Sequence, residues 1–272
     1  MYYLETNALR ALGSTLGENK ELLKKSYTST FALFELIKGI DRSKDSNTRL
    51  KLLNSIQKTE LKLIDFMPFE MIELAFGGTA NVTESEAVKD RIREILLNSK
   101  VNKVEHNQII ERYESGTLAF QNSVTTTYSV PAPPEKKFRL DIEKAFQPER
   151  ETLEHLKKIP KDSHPSRFFM EHIKQTYAPA IYRSHNPESK KSDSEILSIY
   201  NNSLDLYFLA TFGYELKRKC LRQGASKNDL LDLFHALYLV DHDNIIVSND
   251  AIFSAILPEI NTLSVEEYRK LT

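Results

Sequence analysis

Apolar residues form short continuous runs near both ends of the chain and fall at helical spacing between them. Tyr2-Tyr3-Leu4 leads into Glu5-Thr6-Asn7, and Asn244-Ile245-Ile246-Val247-Ser248 leads into Asn249-Asp250. Runs of this length suit strands buried on both faces, as in a parallel sheet covered by helices. After the first run the pattern predicts helices over 8–16 and 20–25, then a strand over 26–28. Ser29 or Thr30 can cap a helix over 31–40. Leu50, Leu53 and Ile56 keep helical spacing within 47–58. An extended stretch near 61–66 and a helix near 68–76 follow.

From Gly77 the character changes. Polar helical segments alternate with punctuation such as Val130-Pro131-Ala132-Pro133-Pro134, and helix starts are expected at Pro148 and Pro165. Ser184 to Ser194 reads as a mobile loop, and Glu195 to Arg222 as one long helix stopped by Gly224. Ser226 can cap a helix from Lys227 to Val240, in which Leu230, Leu233, Phe234 and Leu237 form a buried stripe. Asp232 lies about two hundred degrees from Leu230 on that helix, with Asp229 and Ala236 nearby. A last helix is expected over Ala251 to Leu257. The expected architecture is therefore an α/β core of residues 1–79 and 206–272, split by a large, mainly helical insertion of residues 80–205.

Composition narrows the partners only slightly. With 272 residues, 40% hydrophobic and 28% charged, the chain can bury a core and does not resemble a disordered one. Its formal charge of -1 leaves any polyanionic partner to local patches. Those patches are Lys136-Lys137-Arg139, Lys157-Lys158-Lys161, Lys190-Lys191 and Lys217 to Arg222, with Tyr113, Tyr128, Phe138 and Tyr182 as aromatic platforms for bases. Cys220 is the single cysteine, which excludes an internal disulfide and a multi-thiolate zinc site. No signal peptide and no membrane segment are expected, since the longest apolar run, Leu204 to Phe212, is short and contains Asp205. A cytoplasmic location follows as the expectation.

The candidate chemistry lies in acids at the two ends. Glu5 and Asp250 follow strands, and ligands of open α/β sheets collect beyond the carboxyl ends of strands. A hard divalent cation takes oxygen ligands, and carboxylates facing a phosphodiester need a cation between them.

Four segments together resemble the motifs of PIN-domain nucleases, in the same order: Tyr3-Leu4-Glu5-Thr6-Asn7, Phe34-Glu35-Leu36-Ile37-Lys38-Gly39, Asn228 through Tyr238, and Ile246-Val247-Ser248-Asn249-Asp250. The resemblance covers residues 1–76 and 220–258. It implies a parallel sheet sandwiched between helices, and metal-dependent hydrolysis of phosphodiester bonds, most often in single-stranded or structured RNA, with DNA as a further substrate. It implies that Glu5, Glu35, Asp232 and Asp250 hold Mg²⁺ or Mn²⁺, with Asn7, Asp229 and Asn249 as accessory residues. An inhibitory protein partner and a homo-oligomer are compatible with it. The family usually opens its first motif with Asp, whereas Glu5 carries one more methylene, a departure that bears on activity more than on fold. The alternative is a noncatalytic PIN-like module that binds nucleic acid or protein.

Each residue also has a plainer role. Asp250 can cap a helix, Asp229 can complement a helix dipole, Glu35 can face solvent, and Asn7 can cap the first helix. Gly77-Gly78-Thr79 lacks the Lys of a phosphate-binding loop and reads as a turn. His242-Asp243 lacks the further ligands of a phosphohydrolase, and His235 stands one turn after Asp232.

Overall fold

In the computed structural model, β1 (Tyr2–Leu4) is the central strand of a five-stranded, all-parallel sheet. The order is β3-β2-β1-β4-β5, with β2 at Ser26–Ser29, β3 at Lys62–Ile64, β4 at Ile245–Val247 and β5 at Asn261–Leu263. The structure describes residues 1–38, 40, 46–79, 83–98, 103–124, 151, 154–155, 158, 170–221, 227–241, 243–250, 252–253 and 260–271.

The register pairs Tyr3 with Tyr27 on one side and with Ile246 on the other. Tyr3, Leu4, Ile246 and Val247 are fully buried, which explains the continuous apolar runs of β1 and β4. The chain builds outward from β1 through β2 to β3, then crosses back to lay β4 and β5 on the other side. That reversal leaves a crevice beyond the carboxyl ends of β1 and β4, where an open sheet receives a ligand.

Helices cover the sheet. α1 (Thr6–Leu12) continues into a 3₁₀ helix (Gly13–Gly17), followed by α2 (Lys20–Lys24) and α3 (Thr30–Ile37). α4 (Ser46–Lys58) and α5 (Pro68–Ala75) flank β3 in sequence. Ser29 is the cap of α3, its Oγ accepting the Ala32 N–H at 3.1 Å. Gly77, at φ +75°, ends α5 with the Gly78 N–H reaching the Glu73 carbonyl at 2.8 Å, so the glycine pair forms the expected turn.

Between residues 80 and 205, the described residues contain helices and no strand: α6 (Thr83–Asn98), α7 (Lys103–Val124), α8 (Met170–His185) and α9 (Asp193–Ile199). Their buried Val88, Ile92, Tyr113 and Ile173 join the same hydrophobic core as the sheet. Lys89 of α6 adds a buried ion pair, its Nζ 2.9 Å from Glu70 Oε1. The other Glu70 oxygen accepts the Met67 N–H at 2.7 Å and so caps α5.

Three expectations change. The long helix over 195–222 is two helices, α9 and α10 (Asp205–Leu221), because Asn202 adopts φ 67° and the Asn201 N–H bonds the Ala75 carbonyl at 2.9 Å. The segment expected to be a loop is shorter than 184–194: α8 runs to His185 and Ser192 with Glu195 forms a capping box for α9, leaving a turn and irregular chain over 186–192. The helix over 227–240 is α11 (Lys227–Asp232) followed by a 3₁₀ helix (Leu233–Tyr238). The sequence also gave no sign of β5 or of α12 (Val265–Arg269), which close the second edge of the sheet.

The Ser226 cap, the Pro131 and Pro133 segment, the helix starts at Pro148 and Pro165, His242 and most of the 251–257 helix lie outside the described residues. So do Lys136, Lys137, Arg139, Lys157, Lys161, Arg222, Tyr128 and Phe138. Among the described residues, no helix is long and apolar enough to cross a membrane.

Candidate active site

β1 ends at Leu4, and the next residue, Glu5, caps α1. Its Oε2 accepts the Asn7 N–H at 2.6 Å and its Oε1 the Ala8 N–H at 3.0 Å. The side chain is 2% exposed, and burial pushes its pKa up, with His235 opposing. The carboxylate thus folds back over the first turn of α1. Asn7 lines the same crevice but contributes its main-chain N–H to Glu5, not a cap of its own.

β4 ends in the same way. Asp250 accepts the Ile252 N–H at 3.1 Å on Oδ1, and its own N–H donates to Ser248 Oγ at 2.9 Å. Its plainer role as a cap is therefore present alongside its place in the crevice. Asn249 turns elsewhere: its Oδ1 accepts the Val265 N–H at 3.0 Å, tying β4 to α12.

Glu35 enters from α3, and Asp232 from the end of α11. Together with Glu5 and Asp250 they line one cleft of about 290 Å³. Four acids from the two ends of the chain therefore share one cavity at the reversal point of the sheet. Glu35 does not simply face solvent. Its Oε2 lies 2.9 Å from His235 Nε2 and also accepts the Thr6 hydroxyl.

His235 is 1% exposed, and its Nδ1 lies 2.7 Å from the Tyr3 hydroxyl. Burial disfavours charge on both partners, yet their mutual attraction and hydrogen bond prevail, so the Glu35 pKa falls below the ordinary value and that of His235 rises. In the resulting imidazolium both ring N–H groups donate, one to Glu35 and one to Tyr3. The Tyr3 hydroxyl then donates to Ser29 Oγ at 2.7 Å, which links the pair to the cap of α3.

Asp232 is the acid without a hydrogen-bond partner among the described residues. Burial, reinforced by Glu35, Asp250 and Glu5 and opposed by His235, pushes its pKa up to about 7. Asp229, expected beside it, instead receives the Tyr214 hydroxyl at 3.0 Å, away from the cleft. Asn228 and Leu231 occupy the lining, four and one residues before Asp232.

Sequence reasoning did not find the cations of the rim. Arg10, Lys38 and Arg49 line the same cleft. Arg10 Nη2 donates to the Glu35 carbonyl at 3.3 Å, and Arg49 Nη1 to the Leu36 and Lys38 carbonyls at 3.1 and 2.8 Å. Lys38 Nζ lies 3.1 Å from Glu114 Oε1 of α7. Each cation is isolated in sequence; the one available signal was Arg10 standing one turn after Thr6 on α1. One proposed aromatic platform is also revised. Tyr113 is 3% exposed and packs on Phe34 and Phe69, so it cannot stack a base, whereas Tyr182 is half-buried and meets Phe76 edge-on.

The donor set suits a hard divalent cation by type, since all four side chains offer carboxylate oxygens. After the bonds above, the remaining acceptors include Glu35 Oε1, both Asp232 oxygens and Asp250 Oδ2. The raised pKa of Asp232 records burial first and repulsion from Glu35, Asp250 and Glu5 after it, and a bound cation would offset both. Among the described residues, no three His, Cys, Asp or Glu side chains already converge as a ready-made metal site. The chain matches no protein-family model, no curated protein and no solved structure.

Proposed function

We propose that this protein is a metal-dependent endoribonuclease of PIN-like type, hydrolysing phosphodiester bonds at the cleft beyond β1 and β4. The observation that carries this reading is the meeting of Glu5, Glu35, Asp232 and Asp250 in one cavity with Arg10, Lys38 and Arg49 around it. Acids and cations lining one cleft suit a metal ion together with a phosphate chain.

In this reading Glu35, Asp232 and Asp250 hold Mg²⁺ or Mn²⁺, and Glu5 completes the set while capping α1. The bound ion supplies an acidified water and charge neutralisation at the phosphoryl oxygens. The chain does the rest. His235 keeps Glu35 ionised and fixed in direction, and Tyr3 holds His235. Arg10, Lys38 and Arg49 orient the phosphates, and Asn7 and Asn228 offer amides to the sugar-phosphate chain.

A noncatalytic PIN-like binding module is the second reading, favoured by the use of both Glu5 and Asp250 as helix caps. Thermal unfolding with and without Mn²⁺ separates the two. An ion bound only by the folded chain stabilises it by about 2.7 kcal/mol at a hundredfold excess over Kd. The nuclease reading expects a higher Tm with millimolar Mn²⁺ that disappears in Asp232→Asn. An unchanged Tm favours the noncatalytic module.

A further inference from the structure

The acid cleft is not a closed pocket. A second cavity of about 630 Å³ lies between the 3₁₀ helix Gly13–Gly17 and α4, and Arg10 and Arg49 line both. Its wall combines the apolar Leu52 with the hydroxyl residues Ser14, Thr48 and Ser55, and Lys51 adds a further cation. That volume lies within the range of small-ligand sites and is ample for a nucleoside.

We infer that the substrate strand leaves the acid cleft through the seam formed by Arg10 and Arg49 and places its next nucleoside in the cavity between Gly13–Gly17 and α4. This rests on the nuclease reading and gives the strand a path. Main-chain carbonyls hold both guanidinium groups at the seam: the Glu35 carbonyl for Arg10, and the Leu36 and Lys38 carbonyls for Arg49. The Glu35 carbonyl steadies the Arg10 guanidinium without cancelling its charge, so its planar fork stays suited to a phosphate. The apolar Leu52 offers a surface for a base, and the hydroxyls of Ser14 and Thr48 can meet the sugar. The occupant taken from the nuclease reading is a single RNA strand.

The test measures binding apart from cleavage. A fluorescein-labelled ten-nucleotide single-stranded RNA is titrated by anisotropy in Ca²⁺ at several salt concentrations. The proteins are the native chain, Arg10→Ala, Ser14→Glu, Thr48→Glu and the control Lys20→Glu on α2. Ser14 and Thr48 are exposed, so their variants leave the core intact, which circular dichroism checks. Each cavity variant is expected to weaken binding about fivefold or more, Arg10→Ala is expected to lower the salt slope by about one, and Lys20→Glu is expected to bind as the native chain does. Native binding that all three cavity variants retain overturns the path and leaves the nuclease reading standing. Absence of native binding overturns the path as well, while Mn²⁺-dependent cleavage decides the nuclease reading separately. Tighter binding of a DNA strand of the same sequence overturns the assignment to RNA.

Discussion

His235 Nε2 lies 2.9 Å from Glu35 Oε2, a contact that joins the 3₁₀ helix Leu233–Tyr238 to α3 across two hundred residues of chain. It places a buried cation within a group of acids and sets which of them is ionised. Removing one partner of such a pair strands the other charge. His235→Ala is therefore expected to cost about 3–5 kcal/mol in stability, and His235→Gln less, measured by urea denaturation.

The same pair gives a pH signature. Glu35 has a folded pKa below its ordinary 4.5, so its contribution is present above that value and is lost as pH falls through the folded pKa. His235 has a folded pKa above its ordinary 6.5, so its contribution is complete below 6.5 and is lost as pH rises through the folded pKa. The stability difference between the native chain and His235→Gln is expected to be largest between pH 4.5 and 6.5. A difference independent of pH would contradict the ion pair.

Asp232 predicts the opposite trend for an acid. Its folded pKa, about 7 against an ordinary 3.8, means that its favourable contribution is complete below 3.8 and is lost as pH rises through about 7. Without divalent ions, Asp232→Asn is expected to stabilise the protein at pH 8 by about 1–2 kcal/mol, after allowance for its partial exposure, and to be near neutral at pH 3.5. Thermal melts at the two pH values in chelator check this.

Glu5 allows folding and ion binding to be separated. Glu5→Gln keeps one of the two accepting oxygens and turns an NH₂ toward the other main-chain N–H, so it is expected to cost about 1 kcal/mol, whereas Glu5→Ala keeps neither and costs about 1–2 kcal/mol. Both variants should lose part of the stabilisation by Mn²⁺. Full retention of that response in Glu5→Gln would assign Glu5 to capping alone.

How much of this was legible depended on burial. β1 and β4 read clearly because central parallel strands are apolar on both faces, while the half-exposed β5, Asn261-Thr262-Leu263, offered neither a run nor an alternation. The break between α9 and α10 was hidden because Tyr200, Leu204 and Leu206 continue the apolar pattern through it, and the turn depends on a contact with Ala75 far away in sequence. The four acids could be ordered from sequence because each ends a strand or stands in a helix with apolar neighbours. The rim could not, since Arg10, Lys38 and Arg49 converge only through tertiary packing. Asp229, named as an accessory acid, receives the Tyr214 hydroxyl, while Asn228, one position earlier and one helical turn before Asp232, lines the cleft.

The most direct measurement is cleavage of a mixed single-stranded RNA pool with Mn²⁺, comparing the native chain with Asp250→Asn purified in the same way. The nuclease reading predicts cleavage by the native chain that chelation abolishes and that Asp250→Asn lacks. Equal cleavage by both proteins, or none by either, would contradict it.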